Sequence, residues 1–438
     1  VIATMTALAV LLPVVAGQET LFLRDVANTH LPMKWFQAEV MATGDLPLVD
    51  PLRSGGQPHL GNPNTVPLYP DNLLYLLAPT LWAFNAHFWL HFLLAPFAVG
   101  YLARQLGLGR PAAWSAGVVY ATGGYYLSTL NLYNLSAATT LTPAFLGACV
   151  ALGRAGDGVE TGRRRDTVLA ALLWALLVLG GDPMTAVTAL LVGVVTAWVA
   201  GEGRREVIAP LRRLALAVLL GTLVAAPQVV EFLRIVPASY RGVQGYSVEA
   251  ATAASWSPVN LAGWLIPMPF GEPDLLYWGE RFHAGRRPLF PSFYPGLLAL
   301  ALAAVGSRRG RAWVAWCWGL VATGVFFAMG SYNPLAAWLL GLPGMKIFRL
   351  PVKLWVLTAC GLAILAGWGV QRLLDGEGDR RLRRALTVLL ATLGVAAVAL
   401  LAARDTVIGW VAAWMPPRTP ATHAAAEVTR WTTACLLS

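Results

Sequence analysis

The chain has 438 residues, of which 57% are hydrophobic and 12% are charged. Soluble domains carry about a quarter charged residues, so this composition excludes an ordinary soluble enzyme and favours an integral membrane protein. The net charge of +10 does not indicate a nucleic-acid partner, because the arginines lie in short clusters between apolar stretches.

Apolar stretches of about 17–25 residues recur along the chain, which is the length that a helix needs to cross the hydrocarbon core. Lipid offers the backbone no hydrogen-bond partners, so spans of this length must be helical. We predict an all-α polytopic membrane protein with about eleven transmembrane helices. The predicted spans are 1–17, 80–103, 111–130, 134–153, 167–181, 184–200, 211–233, 290–306, 312–330, 351–371 and 385–402. The first run could also be a signal peptide, but we favour a first span.

The distribution of arginine predicts the orientation of these spans. Five short connections hold 18 of the 32 basic residues: 104–110, 154–165, 201–213, 307–311 and 371–384. By the positive-inside rule these connections and the N-terminus are cytoplasmic. The long outer segments are then 18–79, 234–289 and 331–350, within a transmembrane domain of residues 1–402 that is followed by an outer tail, 403–438. These segments are rich in Trp, Tyr, Pro, Gly and Asn, which indicates ordered functional loops.

The first outer segment begins with FLRDVANTHLPMKWF. Asp25 follows the first span closely, with Arg24 before it and His30 after it. A carboxylate at the membrane boundary can act as a general base, and the alternative is a solvated acid beside a cation. The later run SGGQPHLGNPN lacks the GKS or GKT ending of a P-loop. It predicts tight turns that bring Gln57 and Asn62 close to a polar ligand.

Several polar residues near the predicted helix ends have structural explanations. We interpret Asp71, which follows Pro70, as a helix N-cap, and Asp182 in GGDPMTA as the N-cap of the sixth span. His87 and His91 share a helix face, but no acidic or third ligand is near them and HExxH is absent. We therefore interpret them as interfacial or core histidines, not as metal ligands.

The run LPGMKIFRLPVKLW places Lys346, Arg349 and Lys353 around the start of the span that begins at Pro351. Cations at a helix N-terminus oppose the macrodipole by about 0.3–1 kcal/mol each. A bound anion, such as a lipid phosphate, would explain why three of them occur there. The alternative is that they extend to the outer headgroups.

The order of these motifs, together with VPLYPDNLLYLL, resembles the bacterial YfhO-like membrane proteins and, more broadly, the GT-C superfamily of polytopic glycosyltransferases. The resemblance covers about residues 18–372 and depends more on order and topology than on single motifs. It implies a GT-C-like fold and an inverting transfer of sugar from a polyprenyl-phosphate-linked donor to an acceptor hydroxyl on the outer face of the cell membrane. The product would be a cell-envelope glycan or a lipid-linked polymer.

The resemblance also assigns roles to residues. Asp25 matches the catalytic aspartate, and Lys346, Arg349 and Lys353 would hold the lipid phosphate in the same cavity. The expected substrate-binding residues are Arg24, His30, Gln57, Asn62, Tyr69 and Asp182. The expected partners are the donor, a glycan or lipid acceptor and membrane lipids, without nucleic acid.

Two departures from the family pattern leave alternatives open. The turn of Asn131, Tyr133 and Asn134 lacks a second acid, so no cofactor is firmly expected, although a divalent metal stays an alternative. Family members commonly continue further, so the chain would be a fragment or a reduced member. A transporter or flippase for lipid-linked sugars would share the topology, and so would a non-catalytic envelope-assembly protein. The lack of an internal repeat and the outer position of the polar residues favour an enzyme.

Overall fold

A computed structural model describes residues 12–21, 25–154, 160–201, 208–271, 277–283, 287–308, 311–377, 379–415 and 421–437. The described residues are mainly helical, with one small hairpin, and the chain divides into two compact units. Unit 1 comprises Val1–Thr122, Thr129–Ser247 and Gly341–Arg349. Unit 2 comprises Gly123–Ser128, Val248–Leu340 and Leu350–Ser438.

Unit 1 is built around one helix that is buried from Tyr133 to Gly153. This helix is α5, Tyr133–Arg154, and its threonines bond to carbonyls of the preceding turn, which satisfies their hydroxyls inside the bundle. The other helices of the unit are α1 Leu31–Ala42, α2 Thr80–Gln105, α3 Arg110–Thr122, α6 Glu160–Leu179, α7 Pro183–Ala200, α8 Ile208–Val224, α9 Ala226–Ile235 and α10 Tyr240–Val243. Its strands, β1 Val49–Asp50 and β2 Gln57–Pro58, pair antiparallel, with Val49 opposite Pro58.

Unit 2 contains helix α4, Gly124–Thr129, except its last residue. Its other helices are α11 Val248–Ala251, α12 Leu297–Gly306, α13 Arg311–Ala328, α14 Pro334–Leu340, α15 Trp355–Leu374, α16 Asp379–Ala402, α17 Arg404–Trp414 and α18 Ala421–Leu437. Helix α15 packs against α12 and α13, and small residues such as Gly306 and Gly369 allow the backbones to approach closely. The predicted outer tail forms α17 and α18, which pack against Phe270 and Trp278. The division of the chain at residue 402 stays a prediction.

Five helical segments of the described chain are long and apolar enough to cross a membrane. They are Thr80–Gln105, Tyr133–Arg154, Pro183–Ala200, Pro351–Leu374 and Leu382–Ala402. A sixth candidate joins Ile208–Val224 to Ala226–Ala238 through a bend of 77°. On α8 the side chains of Leu216, Leu219 and Leu223 are exposed, as expected for contact with lipid. The protein is therefore a helical membrane protein, and the count of eleven spans stays a prediction.

Three predicted spans differ from the observed helices, and residues 1–11 of the first predicted span lie outside the described residues. The predicted span 211–233 is divided at Ala225 into α8 and α9, which meet at a bend of 77°. The span 111–130 is interrupted at Gly123, because Gly124 donates its N–H to the Tyr294 carbonyl at 2.7 Å in unit 2. The span 290–306 becomes helical only at Leu297, after a segment that contains Pro288 and Pro291.

Candidate functional site

The first outer segment folds into helix α1 and a tight hairpin. The turn between β1 and β2 has left-handed backbone at three successive residues, Ser54, Gly55 and Gly56, with φ of 48°, 77° and 112°. Two of the three are glycines, which adopt this conformation without steric cost. The tight turns predicted from the sequence are therefore confirmed.

Lys34 on α1 is fully buried, although the sequence analysis did not select it. Its ammonium donates to Gln37 Oε1 at 3.0 Å and to the Thr65 carbonyl at 2.5 Å, and it also donates to Asn72 Oδ1. The ammonium lies 4.6 Å from the centroid of the Tyr133 ring. These acceptors and the aromatic face take the place of water around the charge.

A buried ion pair connects the end of the first outer segment to the bundle. Asp71 Oδ2 lies 2.5 Å from His87 Nδ1 on α2. His87 Nε2 lies 2.7 Å from the Tyr133 carbonyl oxygen and 2.9 Å from Ser136 Oγ, both on α5. The imidazole also stacks on the Tyr133 ring at 3.6 Å between centroids. One histidine therefore joins the segment, α2 and α5.

The second histidine of α2 extends this cluster. His91 Nδ1 lies 2.6 Å from the His87 carbonyl oxygen, and His91 Nε2 lies 2.8 Å from Tyr69 Oη. The ligating atoms of Asp71, His87 and His91 all lie within 4.8 Å of one another. The premise that no acidic ligand is near the two histidines is therefore wrong, because folding supplies Asp71 from a different element.

The interpretation of Asp71 as a helix N-cap is also wrong. Tyr69 occupies the N-cap position, and Asp71 lies inside the first turn of a 3₁₀ helix, Pro70–Leu76. Its carboxylate pairs with His87 and accepts a hydrogen bond from Asn72 Nδ2 at 3.2 Å. The Asp71 carboxylate therefore pairs with His87 and does not cap the helix.

Burial and neighbouring charges shift the pKa values of Lys34, His59 and Asp71 in the first outer segment. Burial lowers the pKa of Lys34 to about 7, and the charge of Asp71 partly opposes this shift. Burial, followed by the charges of Lys34 and Arg53, lowers the pKa of His59 to about 3. Burial raises the pKa of Asp71, but the ion pair with His87 and the nearby cations outweigh it, so the pKa lies below its ordinary value.

Two predicted substrate-binding residues belong to this buried network. Tyr69 contacts His91 as described, and His30 is buried with its Nδ1 3.2 Å from the Asn64 carbonyl oxygen. The His30 ring also stacks on the Tyr133 ring, with centroids 6.0 Å apart. Their binding of substrate stays a prediction.

The remaining predicted residues of the first outer segment lie nearer its surface. Asp25 is half-buried and precedes the π-helical turn Val26–His30, and Arg24 lies outside the described residues. Gln57 is half-buried in β2, and Asn62 Oδ1 accepts the Asn64 N–H at 3.0 Å. Their roles in catalysis or in substrate binding stay predictions.

Asp182 caps α7, as predicted. Its Oδ1 accepts the N–H of Thr185 at 2.9 Å, and Pro183 occupies the first helical turn. The preceding Gly181 carbonyl accepts a hydrogen bond from Asn134 Nδ2 at 3.0 Å, so this turn is attached to the start of α5. A further role of Asp182 in substrate binding stays a prediction.

A second group of polar side chains in unit 1 consists of cations around one aromatic ring. The guanidinium carbons of Arg241 and Arg349 lie 5.4 and 5.6 Å from the centroid of the Tyr246 ring. The Lys346 carbonyl accepts the Tyr246 N–H at 2.9 Å, which holds the backbone of this lysine next to that of Tyr246. We call Arg241, Lys346 and Arg349 the basic cluster. Among the described residues, no carboxylate lies within 4.0 Å of its cationic groups.

Lys353 belongs to unit 2, in contrast to the other two predicted phosphate ligands. It lies in the first helical turn, with Pro351 at the first position, as the sequence indicated. Its carbonyl accepts a hydrogen bond from Tyr125 Oη at 2.6 Å. The prediction that Lys353 shares one cavity with Asp25 and Arg349 stays untested.

Sequence reasoning missed Lys34 and Arg241 for different reasons. Lys34 and Gln37 are three positions apart on α1, so a search for polar pairs on one helix face could have found them. Arg241 gives no local signal, because its neighbour Ile347 is 106 positions away in the chain.

Comparison with known proteins supports the fold. No known family model matches the chain, and no curated protein matches it in sequence. Two solved structures of ArnT from Cupriavidus metallidurans are similar to it. The alignment with the apo form has 15% sequence identity and a TM-score of 0.51, and it covers 93% of this chain and 70% of the ArnT chain. The alignment with the form bound to undecaprenyl phosphate has 16% sequence identity and a TM-score of 0.52, and it covers 92% of this chain and 70% of the ArnT chain. The chain thus has a GT-C-type fold, and the YfhO-like resemblance stays a prediction.

Proposed function

We propose that this protein is a GT-C-type membrane glycosyltransferase that uses a polyprenyl-phosphate-linked sugar as donor. The observation that carries the proposal is the basic cluster, which lacks a carboxylate partner among the described residues, on the fold of a GT-C glycosyltransferase. One of the two similar ArnT structures is bound to undecaprenyl phosphate, an amphiphile with an anionic head.

The chemistry of the basic cluster suits a lipid phosphate. Guanidinium groups donate paired hydrogen bonds that match phosphate oxygens, and lysine adds a mobile point charge. Tyr246 orients both guanidiniums through its ring face, which lowers the conformational entropy that binding must remove. The exposed side chains of Lys346 and Arg349 leave the cluster accessible to a ligand.

The proposed reaction is a direct displacement at the sugar. The acceptor oxygen forms a bond to the anomeric carbon, and its proton moves to the Asp25 carboxylate. The bond from that carbon to the phosphate oxygen breaks, and its electron pair leaves with the polyprenyl phosphate. The basic cluster stabilises the charge that develops on this leaving group. A single displacement inverts the anomeric configuration.

The proposed reaction takes place on the outer face of the cell membrane. The arginine-rich connections favour a cytoplasmic N-terminus, which puts the Asp25 segment on the periplasmic or extracellular side. The acceptor would then be a cell-envelope glycan or lipid.

The proposal is tested with purified protein, a panel of polyprenyl-phosphate-linked sugars as donors, and cell-envelope lipids and glycans as acceptors. Release of polyprenyl phosphate is measured by mass spectrometry for the wild type, Asp25→Asn and the control Asp45→Asn. Asp45 is an exposed carboxylate of the same segment. We expect release by the wild type and by Asp45→Asn, and a loss of at least about a hundredfold in Asp25→Asn.

Two results would contradict the proposal. Full activity of Asp25→Asn would show that Asp25 is not the general base. A wild type that binds polyprenyl phosphate but releases none from any donor would favour the transporter or flippase alternative, in which a lipid phosphate is bound and no bond is broken.

A further inference from the structure

We propose that Asp71, His87 and His91 form a binding site for a divalent first-row transition-metal ion, with Zn²⁺ as the ion that best fits their donor atoms. The three ligating atoms lie within 4.8 Å of one another, and both histidines are buried. This site is distinct from the basic cluster and is independent of the proposed sugar transfer.

The hydrogen bonds fix which nitrogen of each histidine carries a proton. His91 Nδ1 faces the His87 carbonyl oxygen at 2.6 Å, so it must donate, and its Nε2 then carries a lone pair. His87 Nε2 faces the Tyr133 carbonyl oxygen at 2.7 Å, so it must donate as well. Ser136 Oγ donates its own proton to the same carbonyl and can only accept from His87.

A neutral His87 therefore presents a lone pair on Nδ1 to an acceptor. Asp71 Oδ2 lies 2.5 Å from this nitrogen, and both atoms accept hydrogen bonds when the histidine is neutral and the acid ionised. A cation must lie between them. This cation is either a proton or a metal ion. The presence of further metal-ligating atoms nearby distinguishes the two.

One further ligand residue, His91, lies near this position, which a proton does not require. Tyr69 Oη lies 2.8 Å from His91 Nε2 and donates its O–H to that lone pair, so an ion that binds His91 Nε2 must displace this hydrogen bond. Two imidazoles and a carboxylate are a common zinc ligand set. Each histidine also gives its remaining N–H to a backbone carbonyl, the arrangement that typically orients metal-bound histidines.

The geometry requires adjustments of both the acidic ligand and His91. Zinc binds nitrogen and oxygen ligands at about 2.0–2.2 Å, so neighbouring ligand atoms lie roughly 3.3 Å apart. The contact between Asp71 and His87 must therefore open by less than about 1 Å, and ligand atoms up to 4.8 Å apart must approach each other by up to about 1.5 Å. The bound ion would fix the 3₁₀ helix Pro70–Leu76 against α2, which would give it a structural role.

The charges around the site come from several elements. The Lys34 ammonium on α1 acts on the Asp71 carboxylate, and both histidines are neutral when they ligate an ion. A divalent ion would therefore lie near one carboxylate and one ammonium.

The test measures metal content directly. Protein in detergent is stripped with a chelator, incubated with equimolar Zn²⁺, desalted and analysed by mass spectrometry of zinc. We expect about one zinc per chain in the wild type and in the control His30→Ala, which removes a buried histidine outside the site. We expect a background level of zinc in His91→Ala and in Asp71→Asn.

A second measurement covers the case in which a variant does not fold. Thermal unfolding of the stripped wild type is followed with and without Zn²⁺, and zinc is expected to raise the midpoint. No zinc retention by the wild type together with an unchanged midpoint would show that a proton holds the pair. Equal zinc content in the wild type and in a folded His91→Ala would also overturn the proposal. Neither readout depends on sugar transfer.

Discussion

Unit 1 holds cations in two contrasting ways. Lys34 is buried among three acceptors and an aromatic ring, with the charge of Asp71 acting on it. Arg241 and Arg349 lie against Tyr246, without a carboxylate partner in the part of the chain that the structure describes. A buried charge must be compensated by the protein itself, whereas an accessible charge can be compensated by a ligand. The first arrangement therefore indicates stability, and the second indicates binding.

The largest expected effect is on the buried arrangement. Asp71→Asn removes the carboxylate that offsets Lys34 and pairs with His87, and such a loss typically costs about 3–5 kcal/mol of unfolding free energy. Denaturant titration in detergent measures the change. The control Asp45→Asn alters an exposed carboxylate and should stay within about 0.5 kcal/mol. Equal stability of the two variants would contradict the view that the buried arrangement around Lys34 stabilises the fold.

The next effect is a dependence of stability on pH. Burial lowers the pKa of Lys34 to about 7 in the folded protein, whereas the unfolded chain keeps the ordinary value near 10.5. Between these values the unfolded chain binds the extra proton, so stability rises as pH increases. From pH 7 to pH 9 the contribution is about 2–3 kcal/mol. Thermal unfolding at several pH values should show this rise in the wild type and no such rise in Lys34→Met. If stability depended on pH in the same way in both proteins, the Lys34 ammonium would not be the buried charge that causes the rise.

The accessible arrangement should respond in binding and not in stability. Arg349→Gln removes a charged donor to the phosphate, so affinity for undecaprenyl phosphate should fall about 10- to 100-fold, with unfolding changed by less than about 0.5 kcal/mol. Arg234→Gln is the matched control, because Arg234 already pairs with Glu231 at 2.6 Å. A titration in detergent compares the two. If the control lost as much affinity, the cluster would not be specific.

The smallest effect tests the position of Lys346 within the cluster. A Cβ at Gly245 would lie 2.8 Å from Lys346 Cβ, whereas one at Gly344 would meet nothing within 4 Å. Both glycines have left-handed backbone, so alanine costs each roughly 1 kcal/mol of stability. Only Gly245→Ala displaces the lysine, and its lipid-phosphate affinity should fall about threefold. Equal affinities in the two variants would place Lys346 outside the binding site.

Much of the helical architecture could be predicted from the sequence, since a span in lipid must be helical and its length is fixed by the bilayer. The cap at Asp182 and the turn at Pro351 were also predictable, because both depend on neighbours in the sequence. The ion pair of Asp71 with His87 was not, because it joins two elements whose packing no local pattern records. The same holds for Arg241, which approaches Ile347 through tertiary folding.

The interruption of the span 111–130 shows another limit of sequence patterns. It contains no charged residue, but a tertiary hydrogen bond at Gly124 breaks the helix. Hydropathy indicates how well a segment suits lipid, but it does not indicate which distant carbonyl will accept a backbone N–H of that segment.

The central claim is that the basic cluster binds the phosphate of a polyprenyl lipid. Native mass spectrometry of the purified protein with undecaprenyl phosphate tests it most directly, with Arg241→Gln/Arg349→Gln as the variant and Arg234→Gln as the control. The account predicts one lipid phosphate per chain in the wild type and in the control, and loss of the lipid in the double variant. A wild type that retains no lipid, or a double variant that retains as much as the wild type, would contradict it.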